Sequence, residues 1–355
     1  MLKRCTILIL VLLVLGEAKG QDVQFSQFYA APLYINPAFA GSDHTPRLVL
    51  NYRRQWSGLD ASFTTYSGSF DYFFENFNSS IGLIYTYDQI SNGGTATQDI
   101  GLQYAYEMDL GEWWLFGIEM PQMLRMGLQG SFILRSNISG LAFGDQFDNN
   151  NGLVNGASVD PAAQVNAVNY PNVAAGALLY DEFMWIGFSA HNLTRPNQSF
   201  LPDVNGESRL PIRYTLQAGV KIPIGESPDW RDNYRPGYKE MSISPTFLYK
   251  HQGGFDQLDL GLYWTYAPFT VGAFYRGLPI KKVDQLVSNN EALIAMAGVR
   301  LKNFSLGYSY DFTISKLTNG ATSGVHEISL RINFVNSEKW GVKRKLSGGL
   351  PCPSL

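Results

Sequence analysis

The sequence predicts an all-β fold: a transmembrane antiparallel β-barrel of about 14 strands, opened by an N-terminal segment that is periplasmic or plugs the barrel. Three observations point there. The chain begins like an exported protein. It then repeats period-two alternation of apolar and polar residues many times over. The connections between alternating segments are short at one end and long at the other. The composition agrees, with 14% aromatic and only 16% charged residues, against roughly 25% charged in ordinary soluble domains.

Lys3 and Arg4 precede the apolar run TILILVLLVLG (Thr6 to Gly16), and Ala18 and Gly20 supply small residues for cleavage. Residues 1–20 are therefore expected to be a signal peptide, with the mature chain starting at Gln21. The run is shorter than the about 20 residues a membrane-spanning helix needs. Cys5 lies before the apolar core, which does not suit a lipoprotein site. Loss of Lys3, Arg4, Lys19 and Glu17 takes the formal charge from −3 to −5. No basic stripe for nucleic acid is present. Cys352 is then the remaining cysteine, so neither an internal disulfide nor a cysteine zinc site is expected.

Residues 21–46 form the next unit, built on QFSQFYAAPLYINPAFAG. It is too apolar for a solvated tail, and Pro32 and Pro37 forbid a continuous helix. The reading is an extended segment on the periplasmic side, its residues Gln24, Phe25, Gln27, Pro32, Asn36, Pro37, Phe39 and Gly41 tucked into the barrel mouth or a partner groove. Gly41 allows the backbone to turn into the first strand.

Residues 47–335 carry the barrel. In VHEISLRINF, His326, Ile328, Leu330, Ile332 and Phe334 alternate with Glu327, Ser329, Arg331 and Asn333, which a strand places on opposite faces. The same pattern predicts strands at 47–56, 61–74, 78–89, 96–109, 123–136, 170–180, 183–193, 209–222, 238–250, 255–265, 267–277, 290–301, 303–314 and 324–335. The segment 290–301 alternates worst. Short connections such as Asp181–Glu182 fall on one side, with 137–169, 194–208 and 278–289 on the other; 110–122 and 225–238 are longer than the short-turn rule allows. A secreted sandwich would alternate too. Few lysines on the polar face, aromatics near segment ends and the loop asymmetry favour the barrel.

The polar face would carry Arg53, Arg125, Arg135, Arg213, Lys221 and Arg331 together with Asp99, Glu107, Asp311 and Glu327. Such charges either brace the wall by pairing or form a cationic lumen gripping an inserted segment or solute. Their comparable numbers favour bracing. Catalytic chemistry is sparse. No phosphate-binding glycine loop or zinc-protease motif occurs, and His44, His191, His251 and His326 share no ligand spacing. His191 beside Asn192 is a faint lipase hint. The loop GDQFDNNNG (144–152) is oxygen-rich, but Gly152 breaks calcium-loop order. No cofactor or metal is expected, and no enzyme. Residues 336–355 form a periplasmic tail with Lys339, Lys343, Arg344 and Lys345, either solvated or docking to a partner.

The stretch Asp22 to Ser42, above all Gln24 to Gln27, Asn36 to Phe39 and Gly41, resembles the opening signature of the PorP/SprF family of type IX secretion and gliding machinery. YRRQW (52–56), the loop LAFGDQFDNNNG (141–152) and HEISLRINF (326–334) are similar to family features, whereas Ala30 and Ala31 stand where bulkier residues are usual. The resemblance implies an outer-membrane accessory protein in contact with outer-membrane lipid. It would assist secretion or attachment of a large adhesin bearing a C-terminal sorting domain and contact periplasmic ring and motor components. A porin-like channel is the alternative that the same barrel could serve.

Overall fold

A computed structural model of the chain describes residues 22–91, 94–115, 118–137, 144–148, 152–153, 158–160, 167–200, 209–224, 240–284, 287–301, 303–315 and 319–334. Fourteen strands follow one another: β1 Arg47–Gln55, β2 Phe63–Phe74, β3 Ser79–Ile90, β4 Thr95–Leu115, β5 Ile118–Asn137, β6 Ala167–Tyr180 and β7 Met184–His191 come first. Then come β8 Arg213–Val220, β9 Met241–Gln252, β10 Phe255–Tyr266, β11 Phe269–Asp284, β12 Val287–Arg300, β13 Phe304–Thr313 and β14 Val325–Asn333. Each pairs antiparallel with its sequence neighbours, and a two-residue extension of β8, Ile222–Pro223, lies against β9. β1 pairs with β14 from Arg47↔Asn333 to Gln55↔Val325, which closes the ring. Closure removes the unpaired strand edge that an open sheet would present to lipid.

All 14 expected strands are present, and the faces settle between barrel and sandwich. Leu50, Phe70, Leu83, Leu102, Leu128 and Leu306 are exposed, while Asn51, Ser69, Gln103, Gln129 and Ser309 are buried. A sandwich would bury the apolar set. Here the apolar face looks outward, as lipid requires. No helix among the described residues is long and apolar enough to cross a membrane.

Two connections differ from the sequence reading. Residues 110–122 are no loop, because β4 runs on to Leu115 and β5 starts at Ile118. A bulge between Asp109 and Glu112, with Gly111 at φ +81°, shifts the pairing and ends the visible alternation early. Likewise β11 and β12 continue through most of 278–289, past three register shifts. Residues 225–239 lie outside the described residues, as do 1–20 and 336–355, where the sequence leads one to expect a signal peptide and a periplasmic tail. The longest connections, 138–166 and 192–212, leave one end of the barrel, which marks that end as extracellular. Both ends of the barrel chain, Arg47 and Asn333, then sit at the periplasmic end.

Candidate functional site

Residues 22–45 lie largely buried against the inner wall of the barrel, and this is where the buried chemistry concentrates. The segment is not extended. Phe28–Ala30 and Pro37–Phe39 are 3-10 turns, and Pro32–Ile35 is a single α-helical turn. Each proline holds the first position of its turn, where its missing N–H costs nothing. The expectation of an extended strap took the preceding-residue restriction too far. Ala31 and Asn36 do leave the helical region, with φ/ψ −125°/55° and −155°/121°, but each proline begins a new turn.

The segment runs the height of the barrel. Near the periplasmic end, Gly41 N–H donates to Asp71 Oδ2 at 2.6 Å, and Arg47 clamps the same carboxylate with Nε to Oδ1 at 2.9 Å. Asp43 meets Arg331 there. At mid-height Asn36 Nδ2 donates to the carbonyls of Ala177 and Phe188 at 3.0 and 3.2 Å, while its Oδ1 accepts from Ala38 N–H. Towards the extracellular end Asp22 pairs with Arg213 at 3.0 Å and accepts from Asn192. The start of the segment therefore faces outward.

Two buried ion networks fasten it. In the first, Arg53 binds Glu327 at 2.9 Å, and Arg276 binds Asp259 at 3.0 Å and Asp311 at 3.1 Å. Ser26 sits at the centre: its hydroxyl donates to Asp311 at 2.5 Å and accepts from Arg53 and Arg276. That uses every bonding capacity the hydroxyl has. The Glu327 carboxylate accepts the backbone N–H groups of Ser26 and Gln27 at 2.7 and 2.9 Å. Gln27 further donates to Ser309, and accepts from Ser329 at 2.7 Å. In the second network Arg125 donates to the carbonyls of Ala38 and Ala40, to Ser80 and to Glu107. Glu107 also meets His44 at 2.9 Å and Tyr180 at 2.8 Å.

Apolar packing completes the fit. Phe28, Tyr29, Ile35 and Phe39 form one buried cluster with lumen-facing Leu178, Trp185, Leu248, Tyr263, Phe274, Ile294 and Met296. The Tyr29 hydroxyl accepts a hydrogen bond from Trp185 Nε1 at 2.8 Å. This arc explains why 290–301 alternated poorly: Ile294 and Met296 face inward, against aromatics of the segment, so both faces of β12 are apolar.

The remaining expected residues fall as follows. Phe25 is buried, edge-on to Tyr34 at 5.1 Å, and Gln24 lines a cavity of about 980 Å³ above the segment. That cavity also meets Asp22, Tyr34, Asp99, Arg135 and Tyr170. Arg135 donates to Gln198 and stacks over Phe200. Lys221 pairs with Glu240 at 2.6 Å in the periplasmic turn, joined by Arg300. Burial alone would raise the Glu240 carboxyl, but these two cations outweigh it and lower it to about 2. His191 Nε2 faces the Ile35 carbonyl at 3.0 Å rather than a serine hydroxyl. Asp145, in the oxygen-rich loop, accepts from Ser158 and from Val159 N–H; residues 149–151 of that loop lie outside the described set.

Sequence reasoning missed Arg276, Asp259, Arg47 and Asp71. The parity that placed Arg213 inward also places Arg276, flanked by outward Tyr275, so the signal was present. Arg47 stood at a strand end, where parity is weakest.

Asn36 offers a direct test. Asn36→Ala removes three hydrogen bonds of a fully buried side chain and is expected to cost about 1–3 kcal/mol, read as a lower urea midpoint for the barrel in lipid vesicles. An unchanged midpoint would mean the contact at mid-height contributes nothing.

Residues 17–332 match the family described as type IX secretion system membrane protein PorP/SprF. Among solved structures, the Acinetobacter baumannii outer membrane protein Omp33 aligns at 8% identity and TM-score 0.40, covering 82% of this chain and 100% of its own. The Ralstonia pickettii toluene transporter TbuX aligns at 9% identity and TM-score 0.44, covering 86% and 94%. A mutant of the Rh. blastica porin aligns at 8% and 0.34, covering 82% and 99%. No curated protein matches.

Proposed function

Since the chain belongs to the PorP/SprF family of type IX secretion system membrane proteins, we propose that it is a non-enzymatic accessory component of that machinery whose barrel is a scaffold rather than a conduit. The observation that carries this reading is the burial of residues 22–45 inside the barrel, where ion pairs and hydrogen bonds hold them at three heights. A pore built to conduct would not bury a self-complementary core in its own path. Partner recognition then falls to the rim, the extracellular loops and the cavity above the segment. The partners in this reading are a large secreted adhesin with a C-terminal sorting domain outside, and ring or motor components in the periplasm.

The test is gentle affinity purification from outer membranes with crosslinking and mass spectrometry. One very large surface protein, or periplasmic ring components, should be crosslinked to the barrel and recovered with it. A barrel recovered alone would overturn the helper reading. The alternative, a substrate-selective channel, draws on the 980 Å³ cavity as a vestibule, and predicts stable single-channel steps from the unmodified protein. A silent bilayer is expected instead.

A further inference from the structure

The lipid-facing side of β1 and β14 ends in an unusual pair. Along β14 the outward residues run Phe334, Ile332, Leu330 and Ile328, then His326; along β1 they run Leu48, Leu50 and Tyr52, then Arg54. From Phe334 to His326 the strand covers about 27 Å at about 3.4 Å per residue. Tilted by about 35–45°, that spans about 20 Å along the membrane normal, close to the roughly 25 Å apolar band of such barrels. Arg54 and His326 thus stand where hydrocarbon gives way to outer-leaflet headgroups.

They are also direct neighbours, Arg54 opposite His326 in the antiparallel register. Tyr308 hydroxyl bonds His326 Nδ1 at 2.9 Å, and the Tyr310 ring lies edge-on at 4.9 Å, so the imidazole is held in place. Arg54 is exposed and makes no hydrogen bond or ion pair among the described residues. The contrast with the other outward histidine is instructive. His251 has its own carboxylate, Asp256 at 2.7 Å, and needs no outside anion. An arginine on the lipid face can remain only where its charge is hydrated or matched. A guanidinium fork matches a phosphate in bidentate fashion.

We infer that Arg54 and His326 form a docking point for the phosphate of an outer-leaflet phosphoglycolipid, with Tyr52, Tyr66, Tyr308 and Tyr310 flanking its sugar and upper acyl region. Tyr52 and Tyr66 pack 5.2 Å apart beside Arg54, consistent with an aromatic girdle at this level. The inference depends on the barrel alone, not on the identity of any protein partner.

Native mass spectrometry of the intact protein, extracted from outer membranes in mild detergent, tests it. Wild type should retain a phosphoglycolipid, and Arg54→Gln should retain about tenfold less, the factor carried by one hydrogen bond to a charged group. Arg54→Lys should fall between. Because Arg54 is exposed, the unheated gel mobility of each variant should match wild type, which separates lost binding from lost folding. Rebinding of the same lipid after phosphatase treatment should be as weak as in Arg54→Gln. Equal retention by wild type and Arg54→Gln, or equal rebinding of dephosphorylated lipid, would overturn the site. Binding of inorganic phosphate with no retained glycolipid would also overturn it, since the source would then be soluble.

Discussion

Arg276→Met is expected to destabilise the barrel by about 3–5 kcal/mol, the usual penalty for removing one partner of a fully buried ion pair. Arg276 is wholly buried and neutralises both Asp259 and Asp311, which are themselves fully buried. Methionine matches the length of the stem but leaves the buried Asp259 carboxylate without its cation and Asp311 with Arg53 alone, at 3.4 Å. The Ser26 hydroxyl loses one donor, so the anchor of the N-terminal segment loosens with the wall. The measurement is the urea midpoint of the folded band in lipid vesicles. A second variant separates charge from packing: Arg276→Met with Asp259→Asn should recover part of the loss, because one uncompensated charge goes with it. If the single variant unfolds at the wild-type midpoint, the network braces nothing.

The same residues show what a sequence can and cannot disclose about such a protein. Strand number and facing were readable because lipid and lumen impose opposite demands on alternate positions, and Leu306 beside Ser305 or Tyr308 beside Ser309 state that demand directly. The pairing of Glu327 with Arg53 was half readable, since parity put both inside. Its purpose was not, because Glu327 spends its two oxygens on backbone N–H groups some 300 positions earlier in the chain, at Ser26 and Gln27. No local pattern encodes a contact of that separation. The same holds for the inward apolar arc. Trp185, Phe274 and Ile294 break the polar-inside rule, and only the aromatics of the segment they cover explain them. The prolines misled for a different reason: a rule about the residue before proline was extended to proline itself, which in fact starts each turn.

Gly127→Leu is expected to have the largest functional effect, converting a silent barrel into a conducting one. A Cβ at Gly127 would lie 2.4 Å from Ala38 N and Pro37 C and 2.6 Å from Pro37 O, so it meets backbone rather than a side chain that can swing aside. Gly176 is as tight, with its Cβ position 2.0 Å from Asn36 Oδ1. The two glycines make the patch of β5 and β6 on which Asn36–Ala38 lies. Nothing in the wall can yield, because Gly127 sits within a ladder paired on both sides. The segment must move instead, and Arg125, one turn of the pleat away, then loses the Ala38 and Ala40 carbonyls. Overpacking of this kind costs about 1–3 kcal/mol, small enough for a closed 14-strand ladder to survive. Gly130→Leu on the same strand is the control, since a Cβ there meets nothing within 4 Å. Planar-bilayer recording should show stable steps for Gly127→Leu and none for Gly130→Leu or wild type. Protease added to the folded protein should cut within residues 24–40 in the first variant alone. Steps without cutting would mean the segment shifts but stays inside, and silence with an intact, protected segment would mean that Asn36–Ala38 tolerates displacement and that the seal lies higher, at Ser26 and its two arginines.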